Sequence, residues 1–524
     1  MLGCPLITSS QLGWATAMAR YKHYDYSQSV LIPVSLEQQL MPGTLEFAIH
    51  SLVETRMDTS IFEDRYSNDE TGRLAYDPKI LLKIILFAYS RGLVSSRKIE
   101  RACRENVVFM ALSCGQQPDH STIAAFVSSM KDEIIVLFRD VLLVCEEMGL
   151  LGGTLFALDG CKVSSNASKD WSGTISELRR KKDKIEEKVK WLVREQVEAD
   201  RRDEEDGKGG GGSSGLSKRR EQIERLRKAA ERIGKFLEEN GPKIGRQGRE
   251  IKSNVTDNES AKMKTSHGVI QGYNGQALVD SKHQVIIHGE AFGVGPDHDL
   301  LGPMIEGAKE NMRAIGRGED YFEGKVLLAD TNYHCEENLR KCREEGLEAY
   351  IPDTGFRKRD PRFAAQGQYK GKRGKKFELK DFVYDEVSDE YICPGGKRLK
   401  GEWVERKAGR VIYRRYRAKK EDCDRCRLRG KCVRRTNIKG RNLMVPVGGG
   451  CSSLTEVMAE KIDTQEGRRM YEQRMGIVEP VFANIRVQKG LDRFTLRGKI
   501  KVNIQWLLYC IVHNMGKIAS YGFT

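Results

Sequence analysis

Between Ile80 and Tyr89 the apolar residues Ile80, Leu81, Ile84, Ile85, Ala88 and Tyr89 recur at three- and four-residue steps. That spacing predicts one broad helical face, and Asp77-Pro78 supplies a start signal. Two further helical segments follow, roughly over 96–103 and 121–130. Between them, Gln116 to Ser121 reads as a turn in which Pro118 fixes the backbone and Asp119 or Ser121 caps the next helix. The pattern fits a compact helical unit, either of helix-turn-helix type or a plain bundle used for dimerisation. Residues 1–75 are weakly patterned.

The period then changes. Leu155 to Leu158 is a short buried-strand candidate that Asp159-Gly160 ends. From Glu177 to Asp206, 21 of 30 residues are charged, with Ile185, Val189, Leu192 and Val193 among the sparse apolar members. Gly209 to Gly215 reads as a hinge, and a second charged helix runs over about 218–239. This predicts an inserted helical hairpin that touches DNA, pairs subunits or projects into solvent. Alternation resumes over 267–279 and 284–288, two antiparallel strands joined by the turn Asp280 to His283. A helix over 301–312, a strand over 326–329 ending at Asp330, a helix over 336–345 and a strand over 348–351 follow. The order strand, strand, strand, helix, strand, helix, strand is that of an α/β unit. A helical closure over 503–517 completes the pattern, with His513 and Asn514 read as a helix end.

At 524 residues the chain exceeds what one core usually supports, so two or more units are expected. Charged residues are 31% and apolar residues 39%, which excludes a mostly disordered chain and a membrane-embedded one. The longest apolar stretch, Ile504 to Val512, includes Gln505 and is too short to span a bilayer. No N-terminal segment has the layout of a secretion signal, so a cytoplasmic protein without a membrane partner is expected. Thirteen scattered cysteines do not make a secreted disulfide framework. The net charge of +15 is local: Lys397 to Arg441 carries +14 and Arg357 to Lys380 carries +8, leaving −7 elsewhere. The middle of the chain would therefore hold a polyanion, or else present a solvated charged surface. Candidate phosphate contacts are Lys372, Arg373, Lys375, Lys376, Arg414, Arg415, Arg417, Arg425, Arg427 and Arg429. Tyr413 and Tyr416 among them would suit packing against sugars or bases.

Two apolar strands each end in an aspartate, Asp159 and Asp330. Strand ends are where sheets present ligand-binding groups, although aspartate is also an ordinary turn residue there. Two such carboxylates in close approach need a cation or a shared proton, and oxygen ligands favour Mg²⁺ or Mn²⁺. A third acid, Glu479, precedes Pro480, which suits the first position of a helix. Continued as one helix, residues 479–486 would bring Glu479 and Arg486 to nearly the same face. Separately, Cys423 and Cys426 form a close pair, with Cys432 beyond and Cys393 before them. These four suit one tetrahedral structural Zn²⁺, or are simply reduced thiols in an insertion.

The segments Phe156-Ala157-Leu158-Asp159-Gly160, Lys264 to Gly268 with Gln271-Gly272-Tyr273-Asn274, Leu327 to Tyr333, and Val478-Glu479-Pro480-Val481-Phe482 resemble those of bacterial insertion-sequence transposases of the DDE class. Tyr76-Asp77-Pro78 through His120-Ser121-Thr122 is similar to the helical domain that precedes the catalytic domain in such proteins. The resemblance implies an α/β catalytic domain of ribonuclease H-like fold with two insertions, preceded by an all-helical DNA-binding domain. It implies Asp159, Asp330 and Glu479 as catalytic acids holding two Mg²⁺ or Mn²⁺ ions. A Tyr, Arg, Glu, Lys signature surrounds the last acid in related transposases. Here Tyr471 and Arg474 stand in its first two places, with an interval to Glu479 one residue longer, Arg486 in the lysine's place and Lys489 further on. The implied division is an extension over 1–75, a helical domain over 76–150, and a first catalytic part over 151–352. That part carries the hairpin insertion at 175–242; a basic cysteine-containing insertion covers 353–465, and 466–524 completes the catalytic domain. The implied activity is DNA cleavage and strand transfer on double-stranded DNA, at the element's terminal repeats and at a target. It would be carried out by a homodimer or larger assembly, cytoplasmic and nucleoid-associated. Two other functions fit the residues: a non-catalytic DNA-binding protein derived from a transposase, and a host endonuclease without strand transfer.

Overall fold

The computed structural model describes residues 33–65, 74–205, 213–245, 248–266, 268–363, 377–405, 412–433, 440–446 and 453–522. Six helices come first: α1 (Leu45–Thr55), α2 (Pro78–Ser90), α3 (Ser96–Glu105), α4 (Val107–Leu112), α5 (His120–Ser129) and α6 (Glu133–Glu147). Asp77 caps α2 by accepting the Lys79 N–H at 2.7 Å, with Pro78 in the first turn. Asp119, not Ser121, caps α5, accepting the Ser121 and Thr122 N–H groups at 2.8 and 3.0 Å. The sequence pattern foresaw neither α4 nor α6. The first is a single short apolar turn capped by Asn106, and the second buries Ile134, Leu137, Phe138, Val141, Leu142 and Cys145.

The central sheet starts with β1 (Leu155–Ser164). Asp159-Gly160 does not end this strand, because Gly160 to Ser164 stay paired with the neighbouring strand. Beyond β2 (Ser172–Gly173), α7 (Ile175–Glu205) and α8 (Ser213–Glu239) form an antiparallel hairpin, with Leu178 packed on Ile233 and Phe236. Then come β3 (Ser253–Asn254), β4 (Ala261–Thr265), β5 (Gly268–Asp280), β6 (Ile286–Phe292), α9 (Leu301–Ala314), β7 (Val326–Ala329), α10 (Glu336–Glu344) and β8 (Glu348–Tyr350). The main sheet runs β4-β5-β1-β7-β8, with β6 also on β5. The pairs β1–β5 and β5–β6 are antiparallel, and β1–β7 and β7–β8 are parallel. Leaving aside the short β2, β3 and β4 and the inserted hairpin, this is the expected order of strands and helices.

After α11 (Phe356–Arg359) the chain builds a separate antiparallel sheet from β9 (Val383–Asp385), β10 (Glu390–Ile392), β11 (Arg398–Glu405), β12 (Ile412–Ala418) and β13 (Asn442–Pro446). Its own small core contains Phe382, Leu399, Tyr416, Ala418, Cys432 and Leu443. Two short helices, α12 (Lys420–Asp424) and α13 (Arg429–Cys432), sit between β12 and β13. The chain then returns through α14 (Leu454–Asp463), opened by a capping box of Ser453 and Glu456, and through α15 (Gln465–Ala483). A wide π turn over Asn484–Gln488 follows, and α16 (Lys499–Ser520) ends the fold.

Helix α16 lies in the core, where Trp506, Leu508, Tyr509, Ile511, Val512 and Met515 are fully buried. His513 and Asn514 are therefore in the middle of a helix and not at its end. Asn514 both accepts the Ile286 N–H and donates to the Ile286 carbonyl at 2.9 Å, and Asn503 does the same for Ala291 at 2.7 and 3.1 Å. A side-chain carbon at Gly275 would lie 3.0 Å from the Trp506 ring, so this glycine lets the helix settle onto β5. One hydrophobic core joins α1–α6, the central sheet, α15 and α16. No helix among the described residues is long and apolar enough to cross a membrane.

Candidate active site

Parallel pairing sets Leu155 opposite Val326 and Leu158 opposite Ala329. The next residue on each chain is an aspartate, so Asp159 and Asp330 leave adjacent strands side by side, where strands lie about 4.8 Å apart. Asp159 stays in the strand, and Asp330 opens a short 3₁₀ turn over Thr331–Tyr333. The Gly160 N–H donates to Asp159 Oδ1 at 2.8 Å, and Arg474 Nη1 donates to Asp159 Oδ2 at 2.7 Å. Burial raises the Asp159 pKa above the ordinary carboxylate value; Arg474 opposes this and Asp330 adds to it. Burial disfavours the charged form of Arg474, but Asp159, Tyr471 and Asp330 together outweigh it and hold the guanidinium protonated.

Helix α15 delivers this arginine across the sheet. Tyr471 lies one turn before it, its ring 5.4 Å from that of Phe356, and burial raises its pKa with a contribution from Asp330. The helix does not start at Pro480; it runs through it. Proline cannot donate to the Gly476 carbonyl, and Gln284 Nε2 fills that gap with a 2.9 Å hydrogen bond. Glu479 is thus a late residue of an unbroken helix, exposed to solvent. It stands five residues beyond Arg474, about 140° further around the axis. Among the described residues no hydrogen bond or ion pair joins it to Asp159 or Asp330, and no three Asp, Glu, His or Cys side chains are placed to hold a metal ion together. The π turn breaks the seven-residue spacing expected to align Glu479 with Arg486. Arg486 instead acts on Cys161, the same-face neighbour of Asp159 on β1, whose thiol burial pushes up to about 12. Lys489 is buried away from the carboxylates, its pKa lowered to about 8 by burial and by Arg91 of the N-terminal helices.

A polar network that sequence reasoning missed lies beneath these strands. Asp297, in the loop between β6 and α9, is 9% exposed. Its Oδ1 accepts from Asn274 Nδ2 at 2.5 Å and from Gln276 Nε2 at 3.1 Å. Asn332 Nδ2 donates to Asp297 Oδ2 at 3.1 Å and approaches Asp330 Oδ2 at 3.4 Å. Tyr333 donates its hydroxyl proton to Gln276 Oε1. The only sequence signal was a run of polar residues, Gln271, Asn274 and Gln276, in an otherwise apolar strand.

Two family models match the chain. The model described as Transposase domain (DUF772) matches residues 34–129, and the one described as Transposase DDE domain matches residues 392–519. Together they support an insertion-sequence DDE transposase. The first match covers α1 to α5 and the second runs from β10 into α16, taking in Arg474 and Glu479. No curated protein matches this chain.

The basic residues of the chain fall into distinct groups. Arg414 pairs with Asp389, Arg415 with Glu402 at 2.5 Å, Arg417 with Glu402 at 3.8 Å, and Arg429 with Asp424 at 2.8 Å. Arg425 and Arg427 are exposed and make no ion pair among the described residues. Lys372, Arg373, Lys375, Lys376 and the Tyr413 side chain lie outside the described residues. Tyr416 does not offer a stacking face: it is buried against Tyr391, ring centroids 4.8 Å apart, with its hydroxyl donating to Asp389 at 2.7 Å. The four candidate zinc ligands share one end of this sheet. Cys432 belongs to its core, Cys393 and Cys423 pack against it, and a side-chain carbon at Gly395 would lie 3.6 Å from both the Cys393 and the Cys426 sulfur. Burial raises the Cys432 pKa; Arg441 opposes, and Cys423, Cys393 and Cys426 add to the rise.

Proposed function

We propose that the transposase cuts DNA at the ends of an insertion sequence and joins the freed 3′ ends to target DNA, using divalent ions held by Asp159, Asp330 and Glu479. The observation that carries this is the β1–β7 register, which sets two carboxylates side by side against a single guanidinium. That excess of negative charge and the all-oxygen donor set fit a pair of Mg²⁺ or Mn²⁺ ions. When bound, such ions supply an activated water and stabilise the leaving 3′ oxygen. An antiparallel trio of strands continued by two parallel ones, with the first acid on the central strand, supports a ribonuclease H-like catalytic domain. Asp159 and Asp330 are held by the sheet, Arg474 offsets the charge of Asp159, and Glu479, on the same helix as Arg474, is the third acid of the proposed set. The exposed Arg425 and Arg427 bind DNA phosphates, and a homodimer or larger assembly brings two element ends together.

We also infer a structural Zn²⁺ on Cys393, Cys423, Cys426 and Cys432. All four are free thiols gathered at one end of the small sheet, and the Lys397 N–H already donates to Cys393 Sγ at 3.3 Å. Zinc would draw the sulfurs together from their present spacing. Metal analysis of the purified wild type should find about one zinc per chain, lost in Cys423→Ser; a well-folded wild type without zinc removes the site.

The deciding experiment incubates the protein with DNA carrying its element's ends, Mg²⁺ and a target plasmid. Asp159→Asn, Asp330→Asn and Glu479→Gln should bind DNA yet neither nick nor join it. Nicking without joining favours a plain endonuclease. Binding without any cleavage by the wild type favours a DNA-binding derivative.

A further inference from the structure

The catalytic strand is built over a carboxylate that the proposed reaction does not use. Asp297 is buried, makes no ion pair among the described residues, and has both oxygens taken by amides of Asn274, Gln276 and Asn332. A buried carboxylate without a cation is costly unless its neighbours compensate it, and amide donors are what this one receives. Two independent features tie it to Asp159 and Asp330. First, Asn332 spans Asp297 and Asp330 with one amide nitrogen, at 3.1 and 3.4 Å. Second, the residue after Asp159 is kept free of a side chain. A side-chain carbon at Gly160 would lie 1.9 Å from Gln276 Nε2 and 2.8 Å from Asn274 Oδ1, an oxygen that is itself buried without a hydrogen-bond partner. The amides that hold Asp297 thus pass directly under the catalytic strand.

We propose that Asp297 is a positioning residue of the metal site, holding Asn332 against Asp330 and adding a negative charge behind Asp159 and Asp330. It is assigned to positioning and not to ligation because both of its oxygens already accept from amides. Hydrogen-bonded partners behind metal ligands typically carry ~10–100-fold in metal affinity. This inference rests on the metal-dependent reading of Asp159 and Asp330 above.

The test is Mn²⁺ titration by calorimetry of the full-length wild type, Asp297→Asn, Asn332→Ala and Asp330→Asn, each with its metal-free melting temperature. Asn332 is exposed, so Asn332→Ala keeps the fold even where Asp297→Asn does not. The expected result is tight Mn²⁺ binding by the wild type, none by Asp330→Asn, and affinity weakened ~10-fold or more in both other variants. Wild-type affinity in Asn332→Ala, or in a folded Asp297→Asn, overturns the inference and leaves the metal site standing. A purely structural role gives that result too: a lower melting temperature with unchanged Mn²⁺ affinity. Absence of Mn²⁺ binding by the wild type overturns the metal-dependent reading itself, and this inference with it.

Discussion

Gly160 shows how much a single position constrains the site. Its missing side chain leaves the passage for Gln276 and Asn274 beneath β1, where a methyl group would meet an amide nitrogen at 1.9 Å. Gly160→Ala should therefore cost about 1–3 kcal/mol of stability, the usual range for overpacking a filled interior. Thermal unfolding would register this as a drop of several degrees, and an unchanged melting temperature would show that the amides can move aside. At this scale Asp159 and Asp330 were legible in the sequence because each follows a short apolar run, a purely local signal. Asp297 was not, because its partners come from β5 and from the turn after β7, and no local pattern records that meeting. Glu479 was legible as an acid near a proline, but its place in the helix was not. That depended on Gln284, far back in the chain, satisfying the Gly476 carbonyl.

Among the elements, the contact between β6 and α9 carries a titratable group. His288 is buried, its Nδ1 3.1 Å from Asn311 Nδ2, and burial together with the charge of Arg139 lowers its pKa to about 4. The folded state prefers the neutral ring, so its contribution is complete above the unfolded value near 6.5 and is lost as pH falls towards 4. The loss is of order 2–3 kcal/mol. Melting temperatures measured from pH 7 to pH 4 should fall less steeply in His288→Leu than in the wild type, and parallel curves would refute the assignment. The strands and helices of the α/β unit were readable from their periods, and the charged hairpin from its composition. Helix α16 was read too short at both ends, and polar His513 and Asn514 were read as its end although they lie inside it. In the fold Asn503 and Asn514 serve the backbone of β6, while Gln505 accepts the Thr495 N–H at 2.9 Å.

For the molecule as a whole, charge and core divide differently from what composition suggested. The basic middle of the chain is not uniformly available to DNA, since Arg414, Arg415, Arg417 and Arg429 already face acids. Replacing Arg425 and Arg427 together by glutamine should flatten the salt dependence of DNA binding by roughly 2 units of slope. Arg415→Gln should leave that slope nearly unchanged. Binding titrations across a salt series measure both, and equal effects would mean that the ion pairs open on DNA. The sequence pattern presented the N-terminal helices as a compact unit of their own, yet their core is continuous with that of the sheet. Periodicity shows that a helix has an apolar face, not which partner will cover it.

The two asparagines of α16 have a consequence for how copies of this protein meet. Strand β6 lies on the side of β5 away from β1, and its Ile286 and Ala291 amides and carbonyls are occupied by Asn514 and Asn503. A second chain arriving there finds the ladder positions of Ile286 and Ala291 already taken, which blunts this rim against strand-by-strand growth. Strand pairing between copies is left to the other edges, such as β8 of the main sheet or β9 and β13 of the small one.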